Sequence, residues 1–554
     1  MKICFIWVEK YRNFTNFGLN LSSELHFEYD IINHKIDCQN KSPLPKNFFG
    51  AGISDVTGLV GQNSTGKTNC LELICMALRF GKSRLSSKFI VITENDGKFE
   101  CYSNNFDIGP TANIDLTQYK YNNNIKGINP VFLSNVHDDR DFNFHSSVKN
   151  ISPNSTSKDK NSLFLSHLKF INSNRFNILK IEPPRYIEIK QFVSTSSISV
   201  FTNHSGLDGI SNNLKKHSNF SYSIKIAYIL YYLQVIFEKY QNYGLHNAFV
   251  DIQYFFEPER KPKSKIFSKR TATNLPNLNI ENIDEILRLF SNAYRESYDK
   301  IRFSSSHEKL NKDPNVIDNE VEKLISIFDD YYDHKFELSK KHASNFYYQS
   351  EYNERTNDIL LLIDELFPLK SPITMKWLGV SSGHQAYLNI FSLIYKEVYR
   401  SQNDLIICID EGDLYLHPKW QVDFFSKLVE VLPNLSKGSI QLILTSHSPL
   451  LLSDLPAQSV RLFSPNHIDQ IIETKTFGAN IYELYSELFL LDNQRTGSFS
   501  HQIISKLLSL VAQSNLTKRD LEKVKVLKSL IGDEVIVHAL NMSLMEASPW
   551  RSND

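Results

Sequence analysis

The stretch Gly61-Gln62-Asn63-Ser64-Thr65-Gly66-Lys67-Thr68 has the composition of a loop that wraps a polyphosphate. Such a ligand needs several backbone N–H groups turned toward one point. A glycine-permissive loop ending at a helix N-terminus supplies them. In that arrangement Gly61, Asn63, Ser64, Thr65 and Gly66 line the cradle, Lys67 reaches the β- and γ-phosphates, and the Thr68 hydroxyl ligates Mg²⁺. A second cluster lies far downstream. Asp410-Glu411 follows a continuous apolar run, which suits one carboxylate to the metal shell and the next, turned the other way, to polarising an attacking water. His447 follows a second such run, where it can hydrogen-bond a γ-phosphate or the water. Ser381-Ser382-Gly383 opens an amphipathic segment, so its hydroxyls and free N–H groups can meet an anion, although the same turn also reads as a plain helix cap.

The elements needed to position these groups are legible around them. Val56–Val60 reads as a strand, and Leu71, Ile74, Cys75 and Leu78 recur at helical spacing, which gives strand, loop and helix in that order. Leu405–Ile409 and Gln441–Thr445 read as central parallel strands because they are apolar without alternation. Tyr387, Ile390, Phe391, Ile394 and Val398 share one helix face. Nearer the N-terminus, Ile3–Val8 and Leu25–Tyr29 read as strands of an antiparallel sheet. Arg12 and Phe14 sit in the turn between them, either against a nucleotide base or as a surface charge and a core ring. Pro130–Asn135 reads as a strand whose Ser134-Asn135 end either reaches the metal or its water or is ordinary turn chemistry.

At 554 residues and 64.1 kDa, the chain calls for two or three folded units. Its 61 basic and 61 acidic residues balance, so any nucleic-acid contact must come from a local patch. One basic stretch, Arg260 to Arg270, offers such a patch or a solvated loop. The six cysteines lack metal or disulfide spacing and suit a reducing compartment. The apolar start, Ile3–Val8, is too short for a signal peptide, and Ile226–Phe237 is too short to span a bilayer, so a cytoplasmic protein without membrane contact is expected. Boundaries are expected at 1–140, 141–374, 375–490 and 491–554. The second segment holds the Asn/Ser-rich run Asn150–Asn161, a strand at Tyr186–Val193 and helices at Ile224–Tyr240, Ile280–Tyr298, Asn315–Phe336 and Tyr352–Phe367. The fourth holds helices at Ser500–Ser514 and Lys518–Ile531.

Taken together, these motifs resemble the ABC-type ATPase heads of the Rad50, SMC, RecF and OLD group. The phosphate loop is similar to Walker A, Val380–His384 to the signature motif, Leu405–Glu411 to Walker B with its catalytic glutamate, Gly412–Pro418 to the D-loop and His447 to the switch histidine. The glutamine usual near Ser134-Asn135 is missing. The resemblance implies an α/β P-loop NTPase of ABC-ATPase type with an antiparallel N-terminal sheet, an inserted helical domain and a helical C-terminal tail. It further implies ATP and Mg²⁺ as cofactors. It also implies a homodimer in which Ser381, Ser382 and Gly383 of one copy close over ATP held by the other.

A narrower resemblance joins Asp410–Pro418, Thr445–Pro449 and Thr476–Leu484 to the Septu antiphage ATPases of the PtuA type, some of them retron-associated. It implies a separate HNH-type nuclease as partner and, in retron forms, a reverse transcriptase with its RNA–DNA product. The tail after Leu491 is too short for the TOPRIM nuclease domain of the OLD group, so it reads as a docking element or as cover for the head's edge. A RecF- or Rad50-like repair ATPase is the alternative, although the insertion lacks sustained heptads and a Cys-x-x-Cys hook. A transporter's nucleotide-binding subunit ranks last.

Overall fold

The computed structural model describes residues 1–192 apart from 86, 105, 110, 112, 137–139, 141 and 154–160; 219–240; 283–302; 312–463 apart from 329, 343–344 and 369–370; 468–470; 474–488; 497–512; and 516–547. The chain divides into two compact units, Met1–Leu59 with Gly66–Ser446, and Val60–Thr65 with His447–Asp554.

The first unit opens with two hairpins, β1 (Lys2–Tyr11) with β2 (Phe14–Asn20) and β3 (Leu25–Asp30) with β4 (Lys35–Asn40). Strand β5 (Ile53–Gly61) runs into the glycine loop, and α1 (Lys67–Leu78) leaves it. Strands β6 (Phe89–Asn95), β7 (Lys98–Ser103) and β8 (Leu116–Lys120) extend the first hairpin into a sheet of order β2-β1-β6-β7-β8. Alternation puts Phe5, Trp7, Ile90 and Ile92 on one face of this sheet, where Phe27 and Tyr29 of the second hairpin cover them. Trp7 meets Tyr29 edge-on with ring centroids 4.7 Å apart.

Next come β9 (Ile128–Ser134) and the short β10 (Lys149–Asn150). Strands β11 (Tyr186–Phe192), β12 (Glu337–His342), β13 (Asn345–Glu351) and β14 (Ile373–Leu378) form an antiparallel sheet of order β12-β13-β11-β14. It shares one core with the helices Phe220–Tyr240, Ile283–Arg302, Pro314–Ile327 and Glu354–Leu366. Strands β15 (Asp404–Asp410) and β16 (Ile440–Thr445) then complete the central sheet, whose strands in this unit run parallel in the order β10-β9-β15-β16-β5. All of β16 is buried, and so is β15 beyond its first residue, which is why both read as unbroken apolar runs.

In the second unit, β17 (Val460–Phe463) pairs antiparallel with β18 (Ile468–Gln470). The strand end that enters the glycine loop lies here, and a Cβ on Gly61 would fall 1.9 Å from the Phe463 carbonyl oxygen, so no larger residue fits. Helices Ser498–Val511, Lys518–Lys528 and Glu534–Ala547 share a small core of Leu507, Val511, Val524 and Leu540. Among the described residues, no helix is long and apolar enough to cross a membrane.

Several expectations change. The helix expected over Asn315–Phe336 is two, Pro314–Ile327 and Asp330–Lys335, because Phe328 leaves helical geometry (φ −86°, ψ 89°) to bury its ring against Phe220. Strands β12, β13 and β14 were not anticipated in a segment expected to be mainly helical after its first strand. Their signal is the alternation of buried Phe346, Tyr348 and Ser350 with half-buried neighbours. The tail carries a third helix, Glu534–Ala547, beyond the two expected. The basic stretch 260–270 and residues 154–160 of the Asn/Ser-rich run lie outside the described residues.

Gln441 of β16, fully buried, joins the two large sheets. Its Oε1 accepts from Ile3 N–H at 2.7 Å and its Nε2 donates to the Ile3 carbonyl at 2.8 Å. Gln441→Leu strands both backbone groups and is expected to cost roughly 1–3 kcal/mol, read as a lower urea midpoint.

Candidate functional site

The glycine loop turns through left-handed backbone at Ser64 (φ 63°) and Gly66 (φ 99°), and Thr65 Oγ1 donates to the Gln62 carbonyl at 2.8 Å. Gly66 caps α1 with no side-chain hydrogen bond at the cap, the kind of helix start at which backbone N–H groups can meet an anion. A Cβ on Gly66 would approach Asn13 Nδ2 to 2.6 Å and the Phe14 ring to 2.9 Å, so the turn between β1 and β2 presses directly on this cap. Phe14 is fully buried, and Arg12 is engaged with Asn69 at 2.9 Å and with Glu72 at 2.8 Å. The core-ring reading of Phe14 therefore holds, and Arg12 is an ion-pair partner of α1. Arg140 joins the same two side chains, donating to Asn69 at 2.6 Å and Glu72 at 3.1 Å. Sequence reasoning missed this pairing, because nothing local to Arg140 points to a helix 68 residues away.

Asp410, at the end of β15 and 1% exposed, is the centre of the site. Its register partners are Ser134 on β9 and Thr445 on β16. Both neighbours turn hydroxyls onto it: Thr445 Oγ1 donates to Oδ1 at 2.7 Å, and Ser134 Oγ donates to Oδ2 at 3.2 Å. Thr68 Oγ1 reaches both oxygens, at 3.0 and 3.1 Å. Burial raises the Asp410 pKa, against the hydroxyls of Thr445, Thr68 and Ser134, while Glu411 adds to the rise.

Glu411 takes a left-handed conformation (φ 49°), rare for a residue with a side chain, and its N–H donates to Thr445 Oγ1 at 2.9 Å. Lys67 is buried close to both carboxylates: burial lowers its pKa to about 8, with Glu411 and Asp410 opposing.

Around this centre, Asn135 N–H donates to the Asp410 carbonyl at 3.0 Å and its Nδ2 to the Leu414 carbonyl at 2.8 Å. Ser446 Oγ donates to Asp413 at 2.6 Å. Of the pair Ser134-Asn135, then, the serine faces the carboxylate and the asparagine holds the following turn. Ser381 and Ser382 are exposed where the helix Ser382–Val398 begins, and Ser381 Oγ accepts from His384 N–H at 3.2 Å. A Cβ on Gly383 would lie 3.3 Å from His417 N and 3.4 Å from the Tyr415 carbonyl, so this turn packs against residues 415–417.

The structure therefore brings Lys67, Thr68, Asp410 and Glu411 together in the first unit. Gly61, Asn63, Ser64, Thr65 and His447 belong to the second, His447 following Ser446 directly. The hydroxyls of Thr68 and Ser134 and the Asp410 carboxylate are a hard-oxygen set that fits Mg²⁺, which takes few protein ligands when phosphate oxygens complete its shell. Thr445 was named beforehand only as a strand end. Its signal was the hydroxyl residue ending the strand that leads to His447.

A family model described as "AAA domain, putative AbiEii toxin, Type IV TA system" matches residues 56–453, well over half of the chain. Over 59 residues the chain is 42% identical to the Retron Vc95 probable ATPase of Vibrio cholerae serotype O1 biovar El Tor, a stretch covering 11% of this chain and 10% of that protein. The chain belongs to the matched AAA-domain family, and is on that ground a P-loop ATPase of α/β fold.

On the expectation that Lys67 meets phosphate as the cation, nucleotide affinity should hold below pH 8. It should fall by up to about tenfold per pH unit above 8, since the free lysine is then neutral and binding must take up a proton. Calorimetry with a non-hydrolysable ATP analogue at pH 7 and 9.5, in buffers of different ionisation enthalpy, reads both the loss and the uptake.

Proposed function

We propose that this ATPase is an ABC-type head that hydrolyses ATP in composite sites shared by two copies, and that the resulting opening and closing controls a separate HNH-type nuclease in a cytoplasmic antiphage defence complex. The observation that carries the hydrolytic part is the contact of Thr68 with Asp410, 342 residues apart in sequence, beside Lys67 and Glu411. In this reading the backbone of Gly61, Asn63, Ser64, Thr65 and Gly66 cradles the phosphates and Lys67 neutralises them. Mg²⁺ supplies further charge neutralisation, held by Thr68 and Asp410. Glu411 polarises the attacking water, with its backbone held by Thr445, and His447 senses the γ-phosphate. The turn Ser381, Ser382 and Gly383 closes on the nucleotide of the other copy, for which the exposure of Ser381 and Ser382 at a helix start suits it.

The defence context rests on the resemblance to Septu-type ATPases and is supported by the relative named as a retron probable ATPase. A reverse transcriptase and an RNA–DNA product are accordingly candidate partners beside the nuclease. Residues 141–374 act as an insertion in the head, and the helices after residue 491 as a docking element. Six free cysteines suit a reducing compartment.

Glu411→Gln should bind ATP as the parent does, hydrolyse it at least about a hundredfold more slowly, and accumulate an ATP-bound dimer. Lys67→Ala should lose nucleotide binding. Turnover kinetics with light scattering checks both, and parental turnover by Glu411→Gln would remove the base assignment. Co-expression with its genomic neighbours tests the partners: co-elution of an HNH-type protein is expected, and elution without any nuclease or nucleic acid rejects the defence reading.

A further inference from the structure

The helix that begins at Ser382 follows β14 across the short turn Gly379-Val380-Ser381. Gly379 is left-handed (φ 68°) and has nothing within 4 Å of its would-be Cβ. The turn thus has backbone freedom at Gly379, with Val380 packed against the core of the antiparallel sheet and its helices. A residue from elsewhere in the chain spans it. His167, 1% exposed on the helix Ser162–Ile171, contacts both arms. Its Nδ1 lies 3.2 Å from the indole Nε1 of Trp377, on β14 before the turn. Its Nε2 lies 2.8 Å from Asn389 Oδ1, on the helix after it.

The chemistry of these partners fixes the protonation. Indole N–H only donates, so Nδ1 must accept, and the single ring proton sits on Nε2 and goes to Asn389. Burial holds the ring neutral by pushing its pKa down to about 4, against the Asn389 hydrogen bond. Asn389 Oδ1 also accepts from Gln385 Nε2 at 3.0 Å, and Gln385 lies only two residues beyond Gly383. The bridging helix is itself fastened to β14: the buried Asn161 accepts from Met375 N–H at 3.0 Å and donates to the Ile373 carbonyl at 2.8 Å. Phe164 packs on Trp377 with ring centroids 4.7 Å apart.

We propose that His167 is a positioning residue for the Ser381–Gly383 turn, a strut between Trp377 and Asn389 that sets the direction in which the turn presents its N–H groups. The inference rests on the reading of that turn as the part closing over nucleotide. His167 touches no nucleotide itself. Loosening the strut leaves the phosphate loop as it was and blurs the geometry of closure, an effect on turnover and not on binding.

His167→Phe fills the volume and removes both hydrogen bonds. His167→Gln keeps a donor near the Nε2 position for Asn389, and Trp377→Phe removes the indole donor together with part of the ring volume. ATP turnover, nucleotide KM and urea midpoints would be compared with the parent. We expect His167→Phe to lower kcat by roughly ten- to a hundredfold with KM within about twofold, and His167→Gln to recover part of that loss. Should His167→Phe fail to fold, Trp377→Phe carries the test with a smaller drop of the same kind. Parental kcat in the folded variants overturns the strut, as does a loss of stability without a change in kcat. Ser381→Arg, run in parallel, separates the two readings. If it stops turnover while the His167 variants turn over normally, the strut alone fails. If Ser381→Arg is itself parental, the reading of the turn fails first.

Discussion

The buried carboxylate of Asp410 sits where three parallel strand ends and the first turn of α1 converge, and its environment constrains everything around it. A charge removed from water must be repaid locally by hydrogen bonds. Here the donors come from Ser134 on β9, Thr445 on β16 and Thr68 on α1. Each donor must reach the same two oxygens, so strand register, strand ends and helix placement are fixed together. A shift of one residue in β16 would turn Thr445 away from Asp410, because alternate side chains face opposite sides of a sheet. The same hydroxyl holds the Glu411 backbone in its left-handed conformation, so the orientation of the second acid follows from the pairing of the first.

A second set of contacts grips α1 from outside the central sheet. Glu72 is buried with two arginine partners, Arg12 from the first hairpin and Arg140 from the segment after β9, and both arginines also reach Asn69. The buried anionic side chain of Glu72, one turn beyond Thr68 on α1, is thereby charge-paired from two sides. Together with Asn13 and Phe14 against Gly66, this makes the N-terminal sheet part of the phosphate-loop support. Gln441 adds a direct bond between β16 and β1. A loop of backbone N–H groups is useful for anion binding only when its direction is fixed beforehand, and these contacts fix the side of it that α1 begins.

The antiparallel sheet and its helices follow a different style of packing. Their core is rich in aromatic rings, with Phe220 stacked on Phe336 at 4.0 Å between centroids. Its most deeply buried acid among the described residues, Glu320, accepts from Tyr228 at 2.9 Å and Tyr232 at 3.3 Å and pairs with Lys312. Its partners among the described residues are explained by the cost of burying a carboxylate. The link from this region toward chemistry runs instead through β14 and the turn that follows it.

The order of motifs along the chain was readable beforehand because each obeys a local rule. Glycine spacing before a helical period marks the loop, and unbroken apolar runs mark strands covered on both faces. What local rules missed depends on distant partners. Phe328 breaks its helix because a pocket beside Phe220 accepts its ring, and the side-chain geometry around Asp410 depends on parallel register between strands hundreds of residues apart. Arg12 allowed two readings from sequence, since a cation in a turn has no preferred partner until the fold supplies Glu72. The amino-acid sequence alone determined which chemical groups exist and on what kind of element each stands, because backbone propensity and hydrophobic period are short-range. Only the tertiary structure decided which of those groups meet, because burial selects partners by position in space and leaves their separation along the chain free.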